Sequence, residues 1–233
     1  MTKFRLALLG TWRLTFADGS WVAVPPSGQR VIAFLALHER QLRARVAAII
    51  WPDVDDDRAS RRLRSTVWKI QQSVRGLLDL SDGCLALSPE VSVDAERFGA
   101  VARCLVEKRE LDLPPNQTIA LLDSPELLLG WYEDWVVESR ERQNMLRVHA
   151  LEALAGRLIE SGRSVEALEA AQAAVRWDPM RESAHRAVIE AHIASGNPAS
   201  AVHQYNLYCR LLRDEFGIER PTAQLTSMIE SMR

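Results

Sequence analysis

Apolar and polar residues alternate in short runs near the N-terminus, a pattern typical of β-strands. Three such runs cover residues 4–9, 11–16 and 21–24, and Ala17-Asp18-Gly19-Ser20 separates the last two. An Asp-Gly pair between strands favours a hairpin, because glycine tolerates the positive φ that the turn requires. The N-terminus is therefore predicted to form a small sheet of three strands.

The period of the apolar residues changes to a helical one after Pro25-Pro26. We expect Ser27 to cap a first helix, because a serine hydroxyl can accept a hydrogen bond from a free amide of the first turn. A second, shorter helix is predicted over Ala44–Trp51. It should end there because Pro52 disfavours helical backbone in the residue before it.

A third helix is predicted to begin at three consecutive aspartates, residues 55–57, whose carboxylates suit the positive end of a helix. Its apolar residues recur at spacings of four and three, which predicts one continuous buried stripe. That stripe comprises Leu63, Val67, Ile70, Val74 and Leu77. A hairpin with Ser81-Asp82-Gly83 at its turn follows. Strands, three helices and a closing hairpin together predict a winged helix-turn-helix.

The opposite face of the third helix is basic. Between Arg58 and Arg75 there are six basic residues and no acid, although the whole chain has 29 basic and 31 acidic residues. The first 98 residues carry a net charge of +3 and the remainder −5. A basic helix suits DNA, whose major groove, about 12 Å wide, admits one α-helix. The predicted DNA-binding residues are Arg58, Arg61, Arg62, Arg64, Ser65, Lys69 and Gln72.

This face could instead be ordinary solvated surface, because charged residues usually cover the outer side of a helix. Its place after two helices and before a hairpin favours the DNA hypothesis. Arginine can bind guanine edges through two hydrogen bonds, and Ser65 or Lys69 can reach bases or phosphates. Trp68 belongs to the same face and is predicted to be partly buried core rather than a DNA contact.

Beyond Val93 the sequence is almost entirely helical in pattern. Gly162 and Gly196 lie 34 residues apart, and so do Ala167 and Ala201, which is the period of tetratricopeptide helix pairs. We therefore expect a winged helix-turn-helix domain over residues 1–93 and an all-α tetratricopeptide-like domain over residues 94–233. Such repeats offer a concave surface to partners, and the net charge of −5 disfavours contact of this half with DNA.

No motif supports an enzyme, a cofactor or a metal site. GxSxG, Walker and GxGxxG sequences are absent, and the three cysteines are widely spaced. The acids at positions 53 and 55–57 lack the glycine and distal glutamate of a calcium loop, so helix capping is the better interpretation. No apolar run reaches the ~18 residues that would suggest a membrane span. The N-terminus also lacks a signal-peptide pattern, so the expected location is the cytoplasm.

Several stretches resemble known bacterial regulators. Ile49-Ile50-Trp51-Pro52-Asp53 and residues 58–69 are similar to the second and third helices of the Streptomyces antibiotic regulatory protein (SARP) family. Residues 127–136, 138–142 and 178–182 resemble the bacterial transcriptional activator domain. The resemblance extends over nearly the whole chain, and this ordered combination is more specific than any single motif.

The resemblance implies an OmpR-type winged helix and a transcriptional activator of the short, stand-alone kind. Such a protein would bind direct repeats of double-stranded DNA near a promoter, with a possible homodimer on the DNA, and would contact RNA polymerase. Two alternatives stay open. One is a tetratricopeptide-type scaffold whose winged module docks protein, which would leave the basic, acid-free run unexplained. The other is a repressor that occludes a promoter.

Overall fold

The computed structural model describes residues 2–231, which form two compact units. The first unit contains the described residues up to Phe98 together with Pro125–Arg142. The second contains Gly99–Ser124 and the described residues from Gln143 onward. The domain boundary at Val93 stays a prediction. The units differ from it mainly because residues 125–142 pack with the N-terminal part of the chain.

The first unit contains two small sheets and three helices. In chain order its elements are β1 (Phe4–Ala7), β2 (Arg13–Phe16), α1 (Pro26–His38), β3 (Gln41–Leu42), α2 (Arg43–Ile50), α3 (Asp56–Ser73), β4 (Leu78–Asp79), β5 (Cys84–Leu87) and β6 (Val91–Val93), followed by the start of α4 (Asp94–Val106). β1 is the central strand of one sheet, antiparallel to β2 and parallel to β6. The other sheet has the order β3-β5-β4 and forms the wing.

The strand predicted over residues 21–24 is wrong. Trp21 forms only an isolated bridge with Thr15, although Val22 and Val24 are buried. Pro25-Pro26 follows directly, and proline has no N–H to donate to a sheet. The second neighbour of β1 is instead β6, far away in the sequence.

The predicted N-terminal cap is present in α3 and absent from α1. Asp55 is the N-cap of α3, and its carboxylate accepts the amide N–H of Arg58 at 2.8 Å, which confirms the predicted cap. At α1, Ser27 forms no cap. Pro25 is the N-cap residue and Pro26 lies in the first turn, where the amide that proline lacks would have no partner in the helix.

The wing is a tight hairpin, as predicted. Asp82 and Gly83 have φ values of 54° and 70°, and the amide N–H of Cys84 donates to the carbonyl oxygen of Ser81 at 2.9 Å. Positive φ at both central residues defines a type I′ turn, whose twist matches that of the flanking strands. The Asp-Gly pair is thus the local cause of the hairpin.

Residues 125–142 are part of the first unit through backbone pairing. Leu127 forms an antiparallel bridge with Leu9, and the amide N–H of Leu128 donates to the carbonyl oxygen of Leu8 at 2.7 Å. Leu127 and Leu128 are 1% and 0% exposed and belong to the same core cluster as β1 and α1. The stretch that resembles the activator domain therefore completes the core beneath the winged helix.

Arg140 fixes the backbone of this segment. Its guanidinium donates hydrogen bonds of 3.0 Å to the carbonyl oxygens of Leu127, Leu128 and Trp131. The Nε atom also lies 3.5 Å from a carboxylate oxygen of Glu126. One nearly buried cation thus satisfies three carbonyl groups of an irregular turn, which would otherwise lose hydrogen bonds. The sequence pattern around position 140 does not predict this role.

The second unit consists of helices. In chain order they are the remainder of α4, then α5 (Pro115–Leu122), α6 (Asp134–Glu160, whose first residues belong to the first unit), α7 (Ser164–Trp177), α8 (Glu182–Ala194), α9 (Pro198–Phe216) and α10 (Ala223–Glu230). α7 and α9 start 34 residues apart, each shortly after a glycine with positive φ, Gly162 or Gly196. Ala167 and Ala201 are fully buried. The predicted tetratricopeptide-like pairs are confirmed.

His185 of α8 is buried within this unit. Its Nε2–H donates to the carbonyl oxygen of Pro179, and Nδ1 accepts from the amide of Gln204, both at 2.8 Å. The imidazole also stacks on Tyr208, with 4.2 Å between ring centroids. These partners suit the neutral ring, and burial lowers the pKa of His185. The histidine is therefore a core residue of the repeat unit.

The second unit is expected to lose stability as the pH falls below about 6.5, the ordinary histidine pKa. The unfolded chain takes up the proton first, because the pKa of His185 is lowered in the folded state. The stabilisation that the neutral His185 gives is therefore complete above the pKa of histidine in the unfolded chain. It is lost as the pH falls from there towards the lower pKa of His185 in the folded protein. Urea unfolding at pH 7.5 and 5.5 would measure it. His185→Gln should flatten this pH dependence and His149→Gln, at an exposed site of α6, should not; equal slopes in both variants would contradict the assignment.

Candidate nucleic-acid interface

α3 is held in place by its buried face. Ala59, Leu63, Thr66, Val67 and Ile70 are buried, and the helix packs on α1 and α2. A glycine in α1 brings that helix close, because a Cβ atom at position 28 would lie 3.2 Å from the Cγ1 of Ile70. The orientation of α3 is thus set by core packing, which leaves its polar face available for contacts outside the unit.

All seven predicted DNA-binding residues are exposed. Arg58 lies 3.3 Å from the carboxylate of Asp55, the N-cap residue of α3. Both side chains are exposed, so this ion pair contributes little to stability. Within residues 2–231, the other four basic members of the set form no ion pair: Arg61, Arg62, Arg64 and Lys69. The positive charge of this face is therefore not neutralised by carboxylates of the described chain.

The seven residues do not share one line. At about 100° per residue, Arg58, Arg62, Ser65 and Lys69 fall within a sector of roughly 60° around the helix axis. Arg61 and Gln72 flank this sector on one side. Arg64 lies about 130° from its centre, so it suits a contact at the edge of the interface rather than at its middle.

Trp68 is 60% exposed, so the prediction that it is partly buried core is wrong. It lies on the side of Arg61 and Arg64, away from the buried stripe. Its position around the helix, roughly opposite the buried stripe, accounts for this exposure. An exposed indole beside arginines can pack on deoxyribose or on a thymine methyl group, so Trp68 joins the candidate interface.

The turn of the wing is acidic. Asp82 is the first central residue of the turn, Asp79 ends β4 beside it, and the segment 78–87 contains no basic residue. Arg40 pairs with Asp79 at 2.6 Å and donates to the hydroxyl of Ser81 at 2.9 Å, so this cation is engaged within the hairpin. This acidic turn would repel phosphates, whereas the basic face of α3 would attract them.

Residues 2–231 contain neither a cluster of metal ligands nor a helix suited to a membrane. Within that range no three histidine, cysteine, aspartate or glutamate side chains come together as a metal site would require. None of the helices there is long and apolar enough to cross a membrane.

Comparison with known proteins identifies the C-terminal half. Residues 116–233 match the model of the bacterial transcriptional activator domain. A solved structure of EmbR from Mycobacterium tuberculosis, in complex with a low-affinity phosphopeptide, is similar in fold, with a TM-score of 0.69 and 19% sequence identity. The match covers 100% of this chain and 65% of the EmbR chain. No curated protein matches the sequence.

These findings confirm the predicted fold class, a winged helix-turn-helix followed by an all-α, tetratricopeptide-like domain. The family match also confirms the resemblance of residues 127–136, 138–142 and 178–182 to the bacterial transcriptional activator domain. The match to the family model extends over half of the sequence, from the start of α5 through the repeat helices. The chain belongs to the bacterial transcriptional activator domain family.

Proposed function

We propose that this protein activates transcription by binding promoter DNA through the exposed face of α3. One observation carries the proposal. Within the described chain the basic residues of that face form no ion pair, apart from the exposed pair of Arg58 with its cap, while the opposite face is buried against α1 and α2. Neutralisation of DNA phosphates by such cations releases counterions and supplies most of the sequence-independent affinity.

The dimensions and the chemistry of α3 suit the major groove. A helix with its side chains is about 10–12 Å across, close to the width of the groove. We expect Arg62 and Ser65, which lie between Arg58 and Lys69 along the helix axis, to contact base edges, because arginine binds guanine O6 and N7 through two hydrogen bonds. Arg58 and Lys69 would then contact phosphates of the flanking backbone.

Replacing Arg62 by glutamine is expected to weaken binding of a promoter fragment by about 1–3 kcal/mol, because it removes a base or phosphate contact. Fragments would first be selected from genomic DNA, and affinity would then be measured by fluorescence anisotropy over a range of salt concentrations. Arg210→Gln is the matched control, since Arg210 is exposed on α9 and forms no ion pair within residues 2–231. Equal affinities of the Arg62→Gln protein and wild type would remove Arg62 from the interface.

Footprinting of the selected fragments tests the finer parts of the proposal. Direct repeats spaced by about one helical turn would be protected together if two copies bind side by side on one face of the duplex. We infer that the acidic second half of the chain positions these copies or contacts RNA polymerase, because its charge disfavours DNA. Transcription with purified polymerase separates an activator from a repressor that only occludes the promoter.

The alternative of a helical-repeat scaffold rests on the tetratricopeptide-like pairs α6–α7 and α8–α9. The scaffold hypothesis does not explain why α3, whose opposite face is buried in the core, exposes arginines that form no ion pair. A protein that bound none of the selected fragments, and whose Arg62→Gln variant behaved as wild type, would favour the scaffold.

A further inference from the structure

The outer face of the β2-β1-β6 sheet presents a second cationic surface, separate from α3. Arg5 of β1 lies between Thr15 of β2 and Ser92 of β6 in the strand register, and Arg13 lies opposite Ala7. Side chains alternate between the faces of a strand, so these residues share the face opposite the buried Phe4, Leu6, Leu14, Val91 and Val93. One side of the sheet is thus core, and the other is basic and rich in hydroxyl groups.

This face forms the floor of a cleft of about 430 Å³. Arg97, at the start of α4, and Trp21, which is 74% exposed, also line it. The guanidinium carbon of Arg13 lies 5.9 Å from the centre of the Trp21 ring. Three guanidinium groups, two hydroxyls, an indole and one carboxyl group, that of Asp94, therefore surround one concave space within the first unit.

The three arginines have no carboxylate partner within residues 2–231. The nearby acids are otherwise engaged. Asp94 accepts the amide N–H groups of Leu8, Leu9 and Ala95, and Glu90 pairs with Lys3 at 2.8 Å. Three like charges around one cleft repel each other, so an anion of matching charge would be favoured there.

We propose that this cleft binds a nucleotide with two or three phosphates. Arginine forms paired hydrogen bonds with phosphate oxygens, and an exposed indole offers a flat surface on which a base can stack. The volume falls within the range of about 300–1,000 Å³ that is usual for small-molecule sites. An acidic peptide would satisfy the arginines but would leave the indole unused, and the nucleotide accounts for both.

Isothermal titration calorimetry of the full chain with ATP, ADP, adenosine and tripolyphosphate tests the proposal. ATP or ADP should bind at one site per chain, and adenosine, which lacks phosphate, should bind much more weakly. Arg13→Gln and Trp21→Ala should each weaken nucleotide binding by at least about tenfold, which corresponds to 1.4 kcal/mol. Arg210→Gln should bind nucleotide as wild type does.

Circular dichroism spectra and thermal unfolding curves, both expected to be unchanged in Arg13→Gln and Trp21→Ala, show that the variants are folded. Three results would overturn the assignment: no saturable nucleotide binding at millimolar concentration, full affinity in both variants, or tripolyphosphate binding as tightly as ATP. A phosphorylated peptide that bound in place of nucleotides would overturn it as well. Because these measurements do not use DNA, they are independent of the outcome of the promoter experiments.

Discussion

Replacing Trp135 by alanine is expected to lower the free energy of unfolding of the first unit by about 3–5 kcal/mol. The indole is 7% exposed and packs edge-to-face on Phe34 of α1, with 5.4 Å between ring centroids. It also lies edge-on to His38, at 6.2 Å between ring centroids. Removing the ring would leave a cavity between the 125–142 segment and α1, and close-packed surroundings collapse only partly into such a space.

Hydrogen exchange of the full chain, followed by mass spectrometry of peptides from β1 and α1, would measure this loss within the first unit. Tyr132→Ala is the matched control, because Tyr132 lies in the same segment and is 81% exposed. Its effect should stay within about 0.5 kcal/mol. Undiminished protection of β1 and α1 in the Trp135→Ala protein would show that the segment does not support the first unit.

The packing of Trp135 also determines which fragments of the chain are suitable for DNA-binding experiments. A fragment ending at Val93 or Phe98 would lack Leu127, Leu128, Trp135 and Val136, which belong to the core cluster of the first unit. Fragments for DNA binding should therefore extend at least to Arg142, the last residue of that unit. Activity missing from a shorter fragment would report unfolding rather than the role of the repeats.

Local signals explain which parts of the fold could be predicted from the sequence. The cap at Asp55, the Asp-Gly turn of the wing and the stripe of Leu63, Val67 and Ile70 each depend on residues close together in the chain. Propensity, capping and turn chemistry act over that range. The 34-residue recurrence likewise predicts the helix pairs, because each repeat folds in the same way as the next.

The sequence pattern does not predict which strands pair when they are far apart in the chain. The parallel partner of β1 is β6, and Leu127 bridges to Leu9 across more than a hundred residues. Nothing in the period of residues 21–24 distinguishes a third strand from a buried loop, so Trp21–Val24 was assigned wrongly. For Trp68, by contrast, the position around the helix already implies exposure, and only the apolar character of the indole favours the core.

The sequence predicts which residues of the candidate interface are exposed. It does not predict which of their charges lack an ion-pair partner. Every basic residue of the predicted set is exposed, as an amphipathic helix implies. Whether an arginine meets a carboxylate depends on tertiary contacts. Arg30 of α1, for example, pairs with Glu133 at 2.6 Å. Arg61 and Arg62 have no such partner within residues 2–231, and only the structure separates these two cases.

Replacing Arg147 of α6 by methionine is expected to destabilise the second unit by about 1–3 kcal/mol for each carbonyl oxygen that is left without a donor. Arg147 is fully buried, and its Nη1 donates to the carbonyl oxygens of Leu122 and Ser124 at the end of α5. The guanidinium carbon lies 3.7 Å from the centre of the Trp177 ring, a cation–π contact worth about 2 kcal/mol when desolvated. Methionine fills similar space but donates no hydrogen bond.

Lysine at position 147 should restore only part of this loss, because a point charge cannot both stack flat on the indole and reach two carbonyl oxygens in a fixed fork. Hydrogen exchange of peptides from α5 and α7 would report the change, with Arg142→Met as the matched control on the same helix. Arg142 is exposed and donates only to the hydroxyl of Ser139, at 3.3 Å. If Arg147→Met and Arg142→Met destabilised these helices equally, the buried guanidinium would be no more important to the repeat unit than a surface charge.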